Sequence, residues 1–372
     1  MRVGFDARLW HHTGIGRYIR NVLPRLAESV QVVAWAAPDD VEAVQLALPS
    51  AEVRVCGAKP FSVREQIFWT QALRGERLDL FHAPHLNAPL ACPVPLVVTI
   101  HDLIPLRFPG TINSKLGEVY FQGMSRLVSS RARRIITDSE NTKADLVSLL
   151  GVPEGKIRSI PLAADTRFAV PATADRRRAV RERFGLTGPY LLYSGQWKPY
   201  KNLGVLLQAF ATLRPRRPSL KLVLIGREDP TQAHVPDLIA ELGITGAVVP
   251  TGYIADEDDL VALYQEAAVF VFPSRYEGFG LPPLEAMAAG VPVVSSDAAS
   301  LPEAVGDAGL LVSPEAPGPW VEAIGRVLDD AELHAELVRA GIARALAMTW
   351  EETARQTLDA YRDGAAGPLA GL

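Results

Sequence analysis

Short apolar runs rich in Val, Ile and Leu alternate with helical stretches along nearly the whole chain, a pattern that predicts βαβ units and parallel sheets. Strands are predicted at 3–7, 30–35, 52–55, 78–82, 96–100 and 134–137, and a second series at 190–194, 220–225, 247–250, 269–272, 292–295 and 310–312. Between the two series lies a polar, strand-free stretch that contains Ala-Val-Pro-Ala-Thr-Ala-Asp-Arg-Arg-Arg at 169–178 and ends at Gly185. The expected organisation is α/β: a Rossmann-like domain over 1–168, a linker over 169–188, a second doubly wound domain over 189–348, and a helical segment over 349–372 that crosses back to the first domain. Two such sheets facing a central cleft would gather the C-terminal ends of their strands there, where ligands bind in open α/β sheets.

The 372 residues are 48% hydrophobic and 22% charged, which suits two globular domains and excludes a disordered or collagenous chain. Cys56 and Cys92 are too few for a disulfide framework. The chain opens on the strand-like Met-Arg-Val-Gly-Phe-Asp where a signal peptide would need an apolar core, so a cytoplasmic location is expected. The best uncharged tract, 83–101, is broken by Pro84, Pro89, Pro93 and Pro95 and falls short of a membrane span of about 18 apolar residues. A net charge of -4 excludes a strongly basic nucleic-acid binder, but residues 1–172 carry +4 and the remainder -8. The basic half either meets something anionic or is simply solvated.

Candidate chemistry sits at predicted strand ends. After the first strand, Arg8-Leu-Trp-His-His-Thr-Gly14-Ile-Gly16-Arg17 leads into a helix expected near Tyr18, where glycines allow close backbone approach to a phosphate or simply a turn. A dinucleotide fingerprint is incomplete, because position 19 is Ile and no acid ends the next strand. His101 and Asp102 follow the fifth strand, placed for the cleft, although Asp102 could also start a turn. His11, His12, His82 and His85 show no metal-ligand spacing. In the second half, Gly195-Gln-Trp-Lys198-Pro-Tyr-Lys201-Asn202 puts two lysines at a helix start where acids are preferred, an arrangement suited to a diphosphate. The densest feature is Pro273-Ser-Arg-Tyr-Glu277-Gly278-Phe279-Gly280-Leu281-Pro282-Pro-Leu-Glu285, with one carboxylate in the loop and the other expected on the first helical turn. Asp256-Glu-Asp-Asp259 looks like a metal cluster but precedes a helix and reads as its N-cap.

With those segments in hand, the sequence resembles the retaining GT-B glycosyltransferases of family four (group 1), mannosyltransferase-like, over nearly its whole length. Thr13-Gly-Ile-Gly-Arg-Tyr, Thr99-Ile-His-Asp-Leu-Ile-Pro, Thr137-Asp-Ser-Glu-Asn-Thr, Lys198-Pro-Tyr-Lys-Asn-Leu, Thr251-Gly-Tyr, Glu277 to Glu285 and Ser300-Leu-Pro-Glu-Ala-Val-Gly-Asp-Ala carry the match. The resemblance implies that Glu277 contacts donor-sugar hydroxyls, Glu285 binds the nucleotide ribose, and amides around Gly278, Phe279, Gly280 and Leu281 meet the diphosphate or sugar. It implies further that Lys201 binds the diphosphate, that Gly16 lies near the phosphate, and that His101 faces the reacting sugar; Gly14 and Gly195, in the glycine turns before the two helices, are candidates for the same nucleotide-sugar site. Tyr200 stands where many members carry Arg, which leaves Lys198 as the second cation.

The implied activity is transfer of a hexose, α-mannose from GDP-mannose, to a glycan or polyprenyl-diphosphate-linked acceptor in cell-surface polysaccharide assembly. No cofactor or metal is expected, since lysines would meet the charge on the leaving diphosphate, and no nucleic acid is expected as partner. The alternatives are a nucleotide-sugar 2-epimerase-like isomerase and a non-catalytic sugar-nucleotide-binding module. One helix bears on the acceptor: over 113–134, Lys115, Arg126, Arg131, Arg133 and Arg134 face the single acid Glu118, with Leu116, Val119, Tyr120, Met124, Leu127 and Val128 as an apolar stripe. Either that stripe packs on the first sheet or the helix meets an anionic membrane surface at the inner face.

Overall fold

The computed structural model describes residues 1–60, 62–112, 114–229 and 234–365. They form two units, Met1–Leu162 joined by the segment from Trp350 onward, and Ala163–Thr349. The first unit is built on seven strands: β1 (Arg2–Asp6), β2 (Gln31–Ala36), β3 (Glu52–Val55), β4 (Leu80–Ala83), β5 (Leu96–Ile100), β6 (Arg134–Thr137) and β7 (Ile157–Ser159). Their order is β3-β2-β1-β4-β5-β6-β7, every pair parallel. Edge strand β7 escapes the sequence pattern because Ile-Arg-Ser holds a single buried apolar residue.

The second unit has six parallel strands, β8 (Tyr190–Ser194), β9 (Lys221–Ile225), β10 (Val248–Gly252), β11 (Val269–Phe272), β12 (Val293–Ser296) and β13 (Leu310–Val312), in the order β10-β9-β8-β11-β12-β13. Its central strands are buried on both faces, which is why they read as unbroken apolar runs. The rings of Tyr193, Phe272, Phe270 and Tyr264 stack successively under the sheet, with centroids 5.9, 5.9 and 5.3 Å apart.

Strand order reverses between β1 and β4 in the first unit and between β8 and β11 in the second. At such a point successive crossovers depart in opposite directions and leave a crevice beyond the strand ends.

Residues 169–188, expected to be a linker, are instead integral to the second unit. The helix Ala174–Arg183 packs on the helix Glu257–Gln265, where Arg176 and Arg183 pair with Asp259, and Arg181 pairs with Glu266 next to that helix. A polar sequence hid this packing because charge pairs, with only Val180 buried, hold the helix in place. The helix Trp350–Ala365 lies against the helix Gly14–Ala27 and strands β4, β5 and β6. Its Tyr361 hydroxyl sits 2.6 Å from His82 Nδ1 and Thr353 donates to Pro161 O at 2.8 Å.

Candidate functional site

The loops that leave β8 and β11 flank the reversal point of the second sheet, and both carry candidate residues. After β8 the chain makes a 3-10 turn at Pro199–Lys201, then passes through Asn202 in the left-handed region (φ 59°, ψ 37°) before the helix Leu203–Leu213. Lys201 therefore precedes the helix rather than lying in its first turn. Asn202 holds that kink by donating from Nδ2 to Pro273 O at 3.2 Å and Pro314 O at 2.7 Å, and Arg275 N donates to Tyr200 O at 2.8 Å. These bonds bind the β8 loop to the β11 loop.

Across that junction Lys201 Nζ lies 2.6 and 2.8 Å from the two carboxylate oxygens of Glu277, with the Phe272 ring face 5.3 Å away. Ser274 Oγ donates to Glu277 Oε1 at 2.5 Å, and Ser300 Oγ lies 2.9 Å from the carbonyls of both Glu277 and Phe279. Sequence reasoning gave neither serine a role: Ser274 reaches Glu277 three residues on within the same loop, and Ser300 reaches back more than twenty residues to that loop. Lys198 Nζ pairs with Asp229 Oδ2 at 2.5 Å after β9, an acid no motif had pointed to.

Gly280, at φ 120°, opens the helix Leu281–Ala288 in a backbone region that favours glycine, and a Cβ there would also press on Leu301 Cδ2 at 2.9 Å. Because the helix begins at Leu281, Glu285 falls on its second turn, not its first, and is buried. An ammonium, a carboxylate and two hydroxyls thus come together in the loop that leads into the helix Leu281–Ala288, an arrangement suited to an anion next to a polyol.

The first unit carries the remaining candidates at the ends of β1, β4, β5 and β6. The helix Gly14–Ala27 starts at Gly14, four residues before the expected position. Gly16 is required by packing, since a Cβ would stand 2.4 Å from Trp10 O, whereas Gly14 has open space around it. The loop is anchored by a buried charge network that the sequence analysis passed over. Arg8 donates from Nε to Asp6 Oδ1 at 2.8 Å and from Nη2 to Asp6 Oδ2 at 2.5 Å, pairs with Glu65, and lies over the Trp69 ring. His85 Nε2 is 3.0 Å from Asp6 Oδ2, Asn87 bonds Glu65, and Tyr120 donates to Asn87 Oδ1 at 2.5 Å.

His101 Nδ1 lies 2.7 Å from Asp138 Oδ2 and Nε2 lies 3.0 Å from Pro84 O, with the Tyr18 ring in a T-shaped contact at 5.2 Å between centroids. Burial opposes a charge on His101, but the Asp138 carboxylate outweighs it and raises the imidazole above its usual pKa. His82, by contrast, is a core histidine: burial drives it down to about 3, and it sits between the Tyr361 and Thr99 hydroxyls. Asp102 Oδ1 accepts from Ile104 N at 2.9 Å, the turn-forming reading of that residue. Asp256 caps its helix through the amides of Asp258 and Asp259, at 2.9 and 3.2 Å. Among the described residues no group of three or more His, Cys, Asp or Glu is arranged to hold a metal ion.

The basic helix Lys115–Arg131 divides its stripe. Met124 and Val128 enter the core, while Leu116, Val119 and Leu127 are 80, 66 and 50% exposed beside exposed Lys115, Arg126 and Arg131. Simple packing on the sheet therefore accounts for only part of it. Among the described residues, no helix is long and apolar enough to cross a membrane.

Residues 176–344 match the family described as Glycosyl transferases group 1, and residues 12–168 match Glycosyltransferase Family 4. The chain is 33% identical to the O-antigen chain mannosyltransferase B of Escherichia coli, over 78% of this chain and 76% of the relative. It is 30% identical to the D-inositol 3-phosphate glycosyltransferase of Acidothermus cellulolyticus, over 95% and 86% of the two. The fold is shared with Anabaena HepE in complex with UDP and glucose, at TM-score 0.77 and 19% identity over 96% of this chain and 98% of that one.

Proposed function

The chain belongs to the group 1, family 4 glycosyltransferases of GT-B fold, and from that premise we propose that it transfers α-mannose from GDP-mannose, with retention, to a glycan or polyprenyl-diphosphate-linked sugar in cell-surface polysaccharide assembly. The observation that carries this reading is the Lys201–Glu277 pair in the loops flanking the β8/β11 reversal. Donor binding exchanges Lys201 from Glu277 to the diphosphate and frees the carboxylate for sugar hydroxyls, while Glu285 takes the ribose. As the bond to the leaving diphosphate breaks, negative charge grows on its oxygen, and Lys201 and the loop amides are placed to stabilise it. Lys198 joins them by giving up Asp229. The acceptor attacks from the leaving-group face and the departing phosphate oxygen takes its proton, so Glu277 positions the sugar and is not a nucleophile.

The E. coli mannosyltransferase supports mannose as the sugar. UDP-glucose is the competing donor, favoured by the UDP and glucose named for HepE. A phosphorylated polyol is a second acceptor reading, favoured by the inositol-phosphate relative. Thermal-shift titration against GDP, UDP, ADP and their sugars separates the donors, and the largest shift is expected with GDP-mannose. Glu285→Ala should weaken that binding by about 1.5–3 kcal/mol through loss of a charge-assisted hydrogen bond to the ribose. Unchanged affinity in calorimetry for the folded variant would remove Glu285 from the donor site. Incubation with donor alone tests the isomerase: release of an epimerised sugar without acceptor would favour it.

The acceptor is drawn to the cytoplasmic membrane face by the helix Lys115–Arg131, whose exposed Leu116, Val119 and Leu127 insert among lipids while Lys115, Arg126 and Arg131 meet anionic headgroups. Each basic residue near such a surface is worth about 1 kcal/mol. Cosedimentation should show binding to anionic vesicles at low salt, little to neutral vesicles, and loss of binding in high salt and in Leu116→Ser/Arg126→Ser. Equal binding to both vesicle types, or none to either, would leave a soluble acceptor as the better account.

A further inference from the structure

Both ring nitrogens of His101 face acceptors. Nε2 lies 3.0 Å from the carbonyl of Pro84, which can only accept, so Nε2 carries hydrogen. Nδ1 lies 2.7 Å from Asp138 Oδ2; burial raises the Asp138 carboxyl, the His101 charge opposes that rise, and in its ionised form the carboxylate only accepts. A ring with hydrogen on both nitrogens is an imidazolium. Asp138 is itself buried, and its other oxygen, Oδ1, has no hydrogen-bond partner, so His101 is the side chain that balances its charge.

We propose that Asp138 is a positioning residue that holds His101 as a doubly protonated cation, so that His101 supplies a fixed positive charge at the end of β5 and cannot act as the base that takes the acceptor's proton. The proposal rests on the reading above that His101 serves sugar transfer, and deepens it: the proton must then go to the leaving phosphate. The surroundings agree. Asp102, next in sequence, adds attraction for the charged form, and Thr142 from the following helix bonds the His101 carbonyl at 3.3 Å. The Tyr18 ring packs T-shaped on the imidazole, and its hydroxyl lies 3.2 Å from Thr99 Oγ1. Two other histidines feel the His101 charge: His82 on β4 and His12 in the β1 loop are each held below the usual value, first by burial and then by His101.

The test uses the full chain labelled with ¹⁵N-histidine, with the His101 signals assigned by His101→Asn. Wild-type His101 should show both nitrogens protonated at pH 7 and titrate above the ordinary histidine range. In Asp138→Asn the titration should fall by about 1–3 pH units. Because the protonated form is the working one, kcat should decline as pH rises through the His101 pKa, and Asp138→Asn should move that alkaline limb to lower pH by a matching amount. Asp138→Glu should restore part of the shift. A neutral, singly protonated His101 in the wild type at pH 7 would overturn the proposal even if Asp138→Asn does not fold. An unmoved kcat limb in a folded Asp138→Asn would overturn the positioning role. Absence of transfer from GDP-mannose with His101 charged would instead overturn the donor assignment, since the NMR readout does not depend on turnover.

Discussion

Lys201→Ala is expected to lower kcat at saturating donor by about 10²–10³-fold, the usual consequence of removing one preorganised group from a developing anion. If Lys201 met only a phosphate, absent from the free protein, stability would be untouched. The ion pair changes that expectation, because Lys201 and Glu277 side chains are 12% and 11% exposed and the lysine satisfies both carboxylate oxygens. Truncation leaves a largely buried carboxylate with Ser274 as its remaining side-chain donor, and unfolding free energy should drop by about 1–3 kcal/mol. Lys201→Ala/Glu277→Gln separates the two losses, since it removes the stranded charge and should recover stability without recovering turnover. Kinetics and urea unfolding on the wild type, both single variants and the double variant complete the cycle. Turnover within tenfold of wild type in Lys201→Ala would remove this lysine from the reaction. In the same assay EDTA should leave transfer unchanged; loss of activity restored by Mg²⁺ would overturn the assignment of leaving-group charge to lysine.

The largest effect on folding should come from Arg8→Met. Arg8 is the cation shared by Asp6 and Glu65, all three nearly or fully buried, and breaking a buried pair by removing one partner costs about 3–5 kcal/mol. Against a typical total of about 5–15 kcal/mol, that loss brings the first unit near its unfolding threshold. Its pH dependence has a sign. In the wild type, burial opposes the Asp6 charge, but Arg8 and then His85 overcome it and hold the carboxyl well below the usual range. A depressed carboxylate stabilises the fold above its unfolded pKa, and the gain is lost as pH falls toward the lowered value. Without Arg8, burial is opposed by His85 and no longer by the arginine, so Asp6 rises and the variant should recover stability as acid neutralises the stranded carboxylate. Urea unfolding of both proteins at pH 7 and pH 5 should therefore show the deficit narrowing in acid. A deficit below about 1 kcal/mol at pH 7 would mean that water or rearrangement replaces the arginine.

The sequence alone determined the fold class and most of the strands, because parallel strands buried on both faces write themselves as apolar runs and their crossovers as helical periods. It also singled out Glu277, Glu285, Lys201 and His101 as candidates, from glycines, prolines and charges clustered at predicted strand ends. The same logic read Asp256 as a cap and His82 as no ligand, both local matters of backbone amides or burial. Tertiary structure decided the partners. Glu277 and Lys201 are separated by 76 positions, Asp138 and His101 by 37, and Arg8 and Glu65 by 57, and nothing local marks those pairings. Asn202 in its left-handed turn moved Lys201 out of the helix, and Gly280 set where the next helix starts, which put Glu285 one turn further on. The polar stretch at 169–188 was a domain element held by charge pairs, and the apolar stripe of Lys115–Arg131 was only partly core. Hydrophobic pattern reports whether a side chain is buried somewhere; which opposite charge, carbonyl or solvent face it meets depends on chain crossovers that the pattern does not encode.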